Sequence, residues 1–454
     1  MRTILANRKH ERYLEKCSEN LKFSFGVIIG QPTEQNKDFI VHLARNSEQD
    51  LDEDQYSTKS QVLTNRKQGL PQSAGDIDSQ ALANQIISAT KMLPGCFYIL
   101  GLFVVSKEPI FESDQELSAM KNHLQDLIKL INEHSSLCGS SPSMPTNKLL
   151  LSYSTRTKQT ICKTFEPKEE GGGFFMPVDW KYLDKHTEWH KFETTYEVDE
   201  VFPLIIDEEH KVNIEDNLYM CMNLINTYIK NTEVFFLNED VDENQMLETF
   251  LKRNYSELGS VDAISASIFQ STFISDPSNI QIKKFRGSIK FKGVISCRVW
   301  SHPKNTFREI KQFIHHDILR SIAARTQTYC DGLADPTIGD NDDFYISEPP
   351  RRVYFDIPDS NGLQFSEYIF HGELPIVAAA QAKEMMDLSL DTDKIHADLE
   401  SDMDENTFAL HPKRQSSSGT SVEQREIGRN MYIIGIVVAI LVLLASILMH
   451  FIMK

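Results

Sequence analysis

The sequence is poor in cysteine, and its cysteines do not lie at the spacings that disulfide frameworks or zinc sites require. The seven are scattered, odd in number and never form a Cys-x-x-Cys pair. They are Cys17, Cys96, Cys138, Cys162, Cys221, Cys297 and Cys330. Reduced thiols in a cytosolic domain explain this pattern best. Residues 1–23 also lack an apolar core segment, so we expect no secretory signal.

Positive charge is also scarce. The chain has 47 Lys and Arg against 65 Asp and Glu, a net charge of -18. This excess of acid argues against a nucleic-acid partner, because phosphates demand a basic surface. Acidic residues concentrate in Glu48–Asp54 and Asp398–Glu405. Solvated loops are the favoured interpretation of both segments, and recruitment of a basic partner is the alternative.

No arrangement typical of a catalytic site is visible. Two motifs contain candidate metal ligands: His186-x-Glu188-x-His190 and His315-His316-Asp317. The first fits a loop that runs into a strand, and the second lies in an amphipathic helix, where adjacent side chains point in different directions. Gly171-Gly172-Gly173 has no following Lys-Ser/Thr and is interpreted as a linker. We therefore expect no enzyme activity, no cofactor and no metal.

One long apolar run stands out near the C-terminus. Met431–Met453 contains no Asp, Glu, Lys or Arg, and His450 is its only side chain that titrates near neutral pH. As a helix it would be about 34 Å long, enough to cross a hydrocarbon core of about 30 Å. A buried core helix is the alternative, but it would need an apolar partner on every face. The sequence therefore predicts a tail anchor with the preceding residues in the cytosol. Residues assigned to this anchor include Met431, Tyr432, Gly435, Ala439, Leu443, Ile447 and Phe451.

Residues 1–166 show the pattern of an α/β domain with the order β-β-α-β-α-β-β. Predicted strands cover 21–31, 38–45, 96–106, 148–155 and 159–165, and predicted helices cover 79–93 and 113–131. The second helix begins with the capping box Ser113-x-x-Glu116. Residues 46–76 are acidic and lack an apolar period, so we predict a mobile insertion there.

Residues 174–390 again contain both strand-like and helix-like patterns, which predict a second α/β domain. Its predicted strands cover 189–198, 233–237, 261–273 and 287–300, with helices over 214–229 and 303–324. A further strand begins at Pro349, and a last helix covers 374–388. Residues 391–430 are polar and predict a disordered linker before the anchor at 431–453. The predicted fold class is therefore α/β (α+β) with a single C-terminal transmembrane helix.

Three segments and the anchor together resemble a known family. Phe25–Gln31, Leu100–Val105 and Pro349–Tyr354 occur in an order and spacing similar to those of the odorant-response-abnormal protein four family. The resemblance implies a non-enzymatic adaptor, anchored in the endoplasmic reticulum membrane. It would help polytopic receptors, such as olfactory G-protein-coupled receptors, to mature and reach cilia. It would also hold the ubiquitin-fold-modifier-specific cysteine protease at that membrane.

The N-terminal half also resembles an MPN (JAMM-type) domain that has lost its metal ligands. The two histidine positions of active members fall on Val104 and Ser106. A Val cannot bind zinc, which needs N, O or S donors. The resemblance implies an inactive isopeptidase that pairs with the MPN module of the protease. An active zinc isopeptidase is the alternative, whereas a membrane-fusion protein is disfavoured because residues 391–429 lack heptads.

Overall fold

A computed structural model of the chain describes residues 2–20, 23–46, 71–138, 146–168, 172–205, 214–254, 262–270, 285–331 and 350–400. All of these belong to one compact unit that spans residues 1–401. The predicted anchor at 431–453 and most of the predicted insertion lie outside the described residues. Within the described part of the chain, no helix is long and apolar enough to cross a membrane.

The largest sheet has eight strands, in the order β7-β6-β5-β4-β2-β3-β1-β8. Its strands are β1 Thr3–Asn7, β2 Ser24–Gln31, β3 Lys37–Arg45, β4 Tyr98–Ser106, β5 Lys148–Ser154, β6 Gln159–Pro167, β7 Gly173–Pro177 and β8 Asp179–Leu183. Every residue of β2 and β5 is buried, and so is all of β4 except its last residue. Such continuous burial requires cover on both faces of the sheet, and it explains why β4 is an almost unbroken apolar run.

The two edges of this sheet lie close together. The edge strands β7 and β8 are separated in sequence only by Val178. The hydroxyl groups of Thr160 on β6 and Tyr182 on β8 are 2.9 Å apart. The sheet therefore curls until its edges meet, as in a barrel. It also extends past the predicted domain end at residue 166, through Gly173, so the triple glycine does not separate two domains.

Helices α1 Arg8–Asn20, α2 Ser79–Met92, α3 Asp114–Glu133 and α4 Ser135–Cys138 belong to the same region. The Ser113 hydroxyl accepts a hydrogen bond from the Glu116 backbone N–H at 3.4 Å, which confirms the predicted cap. The Glu116 carboxylate, however, accepts from the backbone N–H of Ala74 at 2.7 Å instead of closing the box. Ala74 is buried in a short 3-10 turn, Ala74–Asp76, so the end of the predicted mobile insertion is part of the fold.

A second sheet has four strands in the order β10-β11-β9-β12. The strands are β9 His190–Ile205, β10 Thr232–Phe236, β11 Ile264–Gln270 and β12 Phe285–Ser301. Strands β9 and β12 form a long antiparallel ribbon that keeps one register from Ser301 opposite His190 to Gly287 opposite Leu204, and the register shifts between Gly287 and Phe285. Helices α5 Ile214–Lys230 and α6 Leu247–Arg253 lie in the same part of the chain.

The C-terminal third consists of one long helix, a small sheet and a short helix. These are α7 Phe307–Asp331, β13 Arg351–Asp356, β14 Gln364–Ile369, α8 Ile376–Met386 and β15 Ile395–His396, with the strand order β14-β13-β15. Helix α7 packs on α4, α5 and β12, whereas β14 packs on α2 and α8 packs on β3. The predicted division into 1–166 and 174–390 therefore does not separate two compact units.

The predicted α/β (α+β) class is confirmed by this mixture of sheets and helices. Residues 391–400 correct the predicted linker, because they form a 3-10 turn and strand β15 and are packed against β13. Only the part of the predicted linker after residue 400 lies outside the described residues.

Candidate functional site

The degenerate metal positions lie on β4, in the middle of the first sheet. Val104 is fully buried and sits between Phe25 of β2 and Ser152 of β5. The Ser106 hydroxyl donates to the Glu108 carbonyl at 2.7 Å. A buried isopropyl group has no lone pair for a metal, and Ser106 is used in a local turn. In the described part of the chain, no group of three or more His, Cys, Asp or Glu side chains is arranged to hold a metal ion.

The first histidine motif lies where a loop enters β9, as predicted. The His190 Nε2 and Glu188 Oε1 atoms are 3.4 Å apart, and His186 is exposed. Partial burial lowers the pKa of His190, although the charge of Glu188 opposes this shift. The motif therefore forms a surface ion pair only when His190 is protonated.

The second motif, His315-His316-Asp317, spreads its side chains to three different elements. His315 Nε2 is 3.0 Å from the Thr232 hydroxyl, and His316 Nδ1 is 2.9 Å from the Tyr98 hydroxyl. Asp317 binds Arg352. The predicted divergence of these neighbours is confirmed. Burial lowers the pKa of His315 to about 4 and that of His316 well below its ordinary value, so both are neutral at pH 7.

Asp317 and Arg352 form an ion pair in the centre of the molecule, and neither side chain is exposed to solvent. Two bonds, of 2.8 and 3.0 Å, join the guanidinium to the two carboxylate oxygens. Arg352 Nε also donates to the Ser366 hydroxyl at 2.8 Å. Burial alone lowers the pKa of Arg352, but the charge and hydrogen bonds of Asp317, together with Tyr354 and Tyr368, hold it well above its ordinary value. The pair is charged, and its hydrogen bonds offset part of the cost of burying the charges.

Gly95 allows this pair to reach the first sheet. Its backbone N–H donates to Asp317 Oδ1 at 2.7 Å. A Cβ at position 95 would lie 2.2 Å from the Asp317 nitrogen and 2.4 Å from the Phe313 carbonyl oxygen. Only glycine permits so close an approach between α7 and the loop before β4. The Pro94-Gly95 pair, which the sequence marks as a helix stop, is therefore also a packing contact.

Arg320, one turn after Asp317 on α7, is also fully buried, and its guanidinium donates only to backbone carbonyls. The acceptors are Leu93, Pro94, Phe97, Leu137 and Cys138, at 2.8–3.2 Å. These carbonyls belong to the end of α2, the loop before β4 and the end of α4. The Arg320 guanidinium thus joins the end of α2, the loop before β4 and the end of α4 to α7.

Glu400 fixes the C-terminal end of the described fold. Its side chain is only 2% exposed and accepts from Arg325 at 2.5 Å. It also accepts from the backbone N–H groups of Arg352 at 2.7 Å and Ser296 at 2.8 Å. The prediction of a solvated acidic loop is wrong for this residue. We call Gly95, Asp317, Arg320, Arg352 and Glu400 the junction network.

The surface offers apolar patches and shallow cavities. A groove of about 200 Å³ lies between α2 and α3, and another of about 230 Å³ lies between α5 and α7. Both are smaller than most small-molecule sites. Apolar side chains are exposed on α5, at Tyr219, Met220 and Leu224, and around the start of α8. Surfaces of this kind fit macromolecular contacts better than catalysis.

Comparison with known proteins identifies the family. The family described as "Odorant response abnormal 4-like" matches residues 26–397 of this chain. The chain belongs to that family. "Protein odr-4 homolog" of Drosophila melanogaster is 33% identical, over 100% of this chain and 99% of the relative. The Homo sapiens relative of the same name is 24% identical, over 92% of this chain and 89% of its own.

A solved structure described as UfSP from C. elegans is also similar to this chain. The TM-score is 0.44 and the identity 10%, over 92% of this chain and 65% of that one. A likeness of this size assigns neither a fold nor a function.

The match to the odorant response abnormal 4-like family confirms the resemblance inferred from Phe25–Gln31, Leu100–Val105 and Pro349–Tyr354. The matched range covers the junction network except Glu400, which lies just beyond it. The sequence patterns did not predict this network, although Arg352 directly precedes the apolar residues Val353, Tyr354 and Phe355 of β13. A charged residue in such a place is a signal for a buried partner of opposite charge.

Proposed function

We propose that this protein is a non-enzymatic adaptor of the endoplasmic reticulum membrane. It would assist the maturation and trafficking of polytopic receptors, including odorant receptors bound for cilia. It would also recruit the ubiquitin-fold-modifier-specific cysteine protease to the membrane. Membership of the odorant response abnormal 4-like family over residues 26–397 carries the proposal, because that name refers to the response to odorants. The predicted anchor at 431–453 supplies the membrane attachment.

The packing of Val104 supports an adaptor rather than an enzyme. Val104 is fully buried, and by the resemblance to MPN domains it stands where an active isopeptidase would have a zinc-binding histidine. We propose that residues 1–166 form a degenerate MPN-like domain and that this domain pairs with the MPN module of the protease. An active zinc isopeptidase remains the alternative function.

The adaptor proposal is tested by separating anchoring from binding. The full chain and a fragment ending at residue 430 are expressed in cells, and each is assayed for membrane integration and for co-purification of the protease. We expect the full chain to resist extraction by carbonate and the fragment to be soluble, with both retaining the protease. A chimera in which an unrelated tail anchor replaces 431–453 should restore membrane recruitment.

Loss of protease binding by a folded 1–430 fragment would contradict this two-part arrangement. The enzyme alternative has its own test, in which the zinc content of the purified fragment is measured together with hydrolysis of modifier conjugates. Stoichiometric zinc with hydrolysis would establish the isopeptidase and overturn the adaptor.

A further inference from the structure

A short apolar segment protrudes at the start of α8. Leu374 is 68% exposed, Ile376 60% and Val377 37%. Pro375, at the N-cap of the helix, lies between them. We call Leu374, Pro375, Ile376 and Val377 the apolar turn. Three large exposed aliphatic side chains within four residues expose apolar surface to water, and such a patch is typical of a contact surface.

The apolar turn is held on a fixed frame. Just before it, the Glu373 carboxylate accepts from the Phe370 backbone N–H at 2.7 Å. Just after it, Ala378 is fully buried. At the far end of α8, the Met386 carbonyl oxygen lies 2.7 Å from Nε2 of the buried His42. The turn is therefore presented by a helix whose other end is packed into the core.

The apolar turn lies at the end of the small sheet where the described chain ends. Strand β14 runs towards the turn, and its last residue, Ile369, pairs with Arg351 of β13. The next residue, Arg352, donates its backbone N–H to Glu400 at 2.7 Å. Antiparallel partners have Cα atoms about 5 Å apart. The exit of the chain towards the predicted anchor and the strand that leads into the apolar turn thus share one end of this sheet.

We propose that the apolar turn contacts the surface of a lipid bilayer composed of neutral lipids. This inference rests on the proposed anchor. About 30 residues of the predicted linker separate Glu400 from residue 431, and a flexible linker of that length would span about 30 Å on average. Such a tether holds the fold close to the bilayer, so a weak apolar contact acts at a high effective concentration.

Neutral lipid is the expected partner because the protein carries a net charge of -18. Attraction to anionic headgroups needs Lys and Arg, and none lies within the apolar turn. Aliphatic side chains insert at the boundary between headgroups and acyl chains without that attraction. The contact should therefore be insensitive to salt.

The test uses the full chain inserted into phosphatidylcholine vesicles. Ile376→Cys in a Cys330→Ser background carries an environment-sensitive nitrobenzoxadiazole fluorophore, because the six other cysteines are buried. The same label on Thr157→Cys serves as the control. Thr157 is exposed in the turn between β5 and β6, which lies beside Ser106 at the end of β4, whereas β14 packs against Met92, before the start of β4. The nine-residue strand β4 places these two points about 30 Å apart.

We expect quenching by brominated lipid to be at least about twofold stronger at position 376 than at position 157. The variant L374S/V377S should lower quenching at 376 to the level of the control. The matched variant L224S changes an apolar residue on α5 that is 48% exposed, and it should leave the quenching unchanged. All three substituted residues lie at the surface, so the fold should be retained.

Equal quenching at 376 and 157 in a chain that resists carbonate extraction would overturn this inference and leave the adaptor proposal intact. If brominated lipid does not quench the label at 376, but the label becomes shielded from water as the protein concentration rises, the partner of the apolar turn is a second copy of the chain. That result would also overturn the inference. A chain that carbonate extracts from the vesicles would overturn both proposals together.

Discussion

The ion pair between Asp317 and Arg352 leads to a quantitative prediction about stability. Each side chain is fully buried, and each is the charged partner of the other. Asp317→Asn removes the negative charge but keeps an amide oxygen that can accept from the Gly95 backbone N–H. Arg352→Met removes the positive charge and preserves most of the side-chain volume. The two substitutions and their combination form a double-mutant cycle.

Breaking a buried pair by removing one partner typically costs about 3–5 kcal/mol, because the other charge stays buried without compensation. In D317N, the guanidinium of Arg352 would stay buried without a negatively charged partner, with only the Ser366 hydroxyl and a neutral amide oxygen as acceptors. A folded domain has a free energy of unfolding of about 5–15 kcal/mol, so either single variant should lose a large share of its stability. The double variant buries no charge and leaves an incompletely bonded amide, so we expect a loss of only about 1–3 kcal/mol.

Urea denaturation of the 1–430 fragment, followed by the fluorescence of its three tryptophans, measures these differences. The surface pair between Lys129 and Glu133 provides the control, since E133Q should change the free energy of unfolding by less than about 1 kcal/mol. Losses below about 1 kcal/mol in both single variants would refute the reasoning. A double variant whose loss equals the sum of the single losses would refute it as well, because the two charges would then be uncoupled.

Three further predictions concern pH, the chain exit and close packing. Burial lowers the pKa of His10 to about 3 and that of His42 to about 4. Below pH 6.5 the unfolded chain therefore binds protons that the fold does not. Stability should fall by about 2 kcal/mol per histidine between pH 6.5 and pH 5 in urea titrations, and variants with Gln at both positions should lose less. E400A should speed hydrogen exchange in β13 and β15, and E400Q should do so less, as mass spectrometry of exchanged fragments would show. G95A should lower the free energy of unfolding by at least about 2 kcal/mol, because its Cβ would overlap the backbone of α7.

Much of the first sheet could be predicted because its signals are local. The run Leu100–Val105 lies within β4, and the stripe that includes Met120, Leu124 and Leu127 forms the buried face of α3. Strands β2, β3, β5 and β6 also lie where the apolar patterns placed them. In each case the apolar residues that distinguish a strand, with period 2, from a helix, with period 3.6, lie within one element.

The side of the same sheet that contains β1 and β8 could not be predicted, since these two strands are distant in sequence. Strand β1 pairs with β8, and its register places Thr3 opposite Asp179. No pattern within Thr3–Asn7 points to a partner so far away. Helix α1 was missed because its sequence is strongly charged and only one stripe, which includes Leu14 and Cys17, is buried. Tertiary pairing, rather than local propensity, determines these elements.

Helix α7 shows why the junction network escaped a sequence-based prediction. The sequence predicts an amphipathic helix over 303–324, with Phe307, Ile310 and Ile314 on its apolar side. That assignment assumes a surface helix with one buried face. Instead α7 is packed on several sides, so Asp317 and Arg320 are buried and need partners from other segments. Those partners are backbone groups and Arg352, which a periodic pattern cannot reveal.

Glu400 changes the geometry expected for the proposed membrane attachment. Its three hydrogen bonds place residues 391–400 in the fold, which shortens the predicted linker from about 40 to about 30 residues. The average span of a flexible linker scales with the square root of its length, so it falls from about 35 to about 30 Å. A shorter tether raises the local concentration of the folded unit at the bilayer. The burial of Glu400 thus favours the proposed contact between the apolar turn and the bilayer, because Glu400 and the apolar turn lie at the same end of the small sheet.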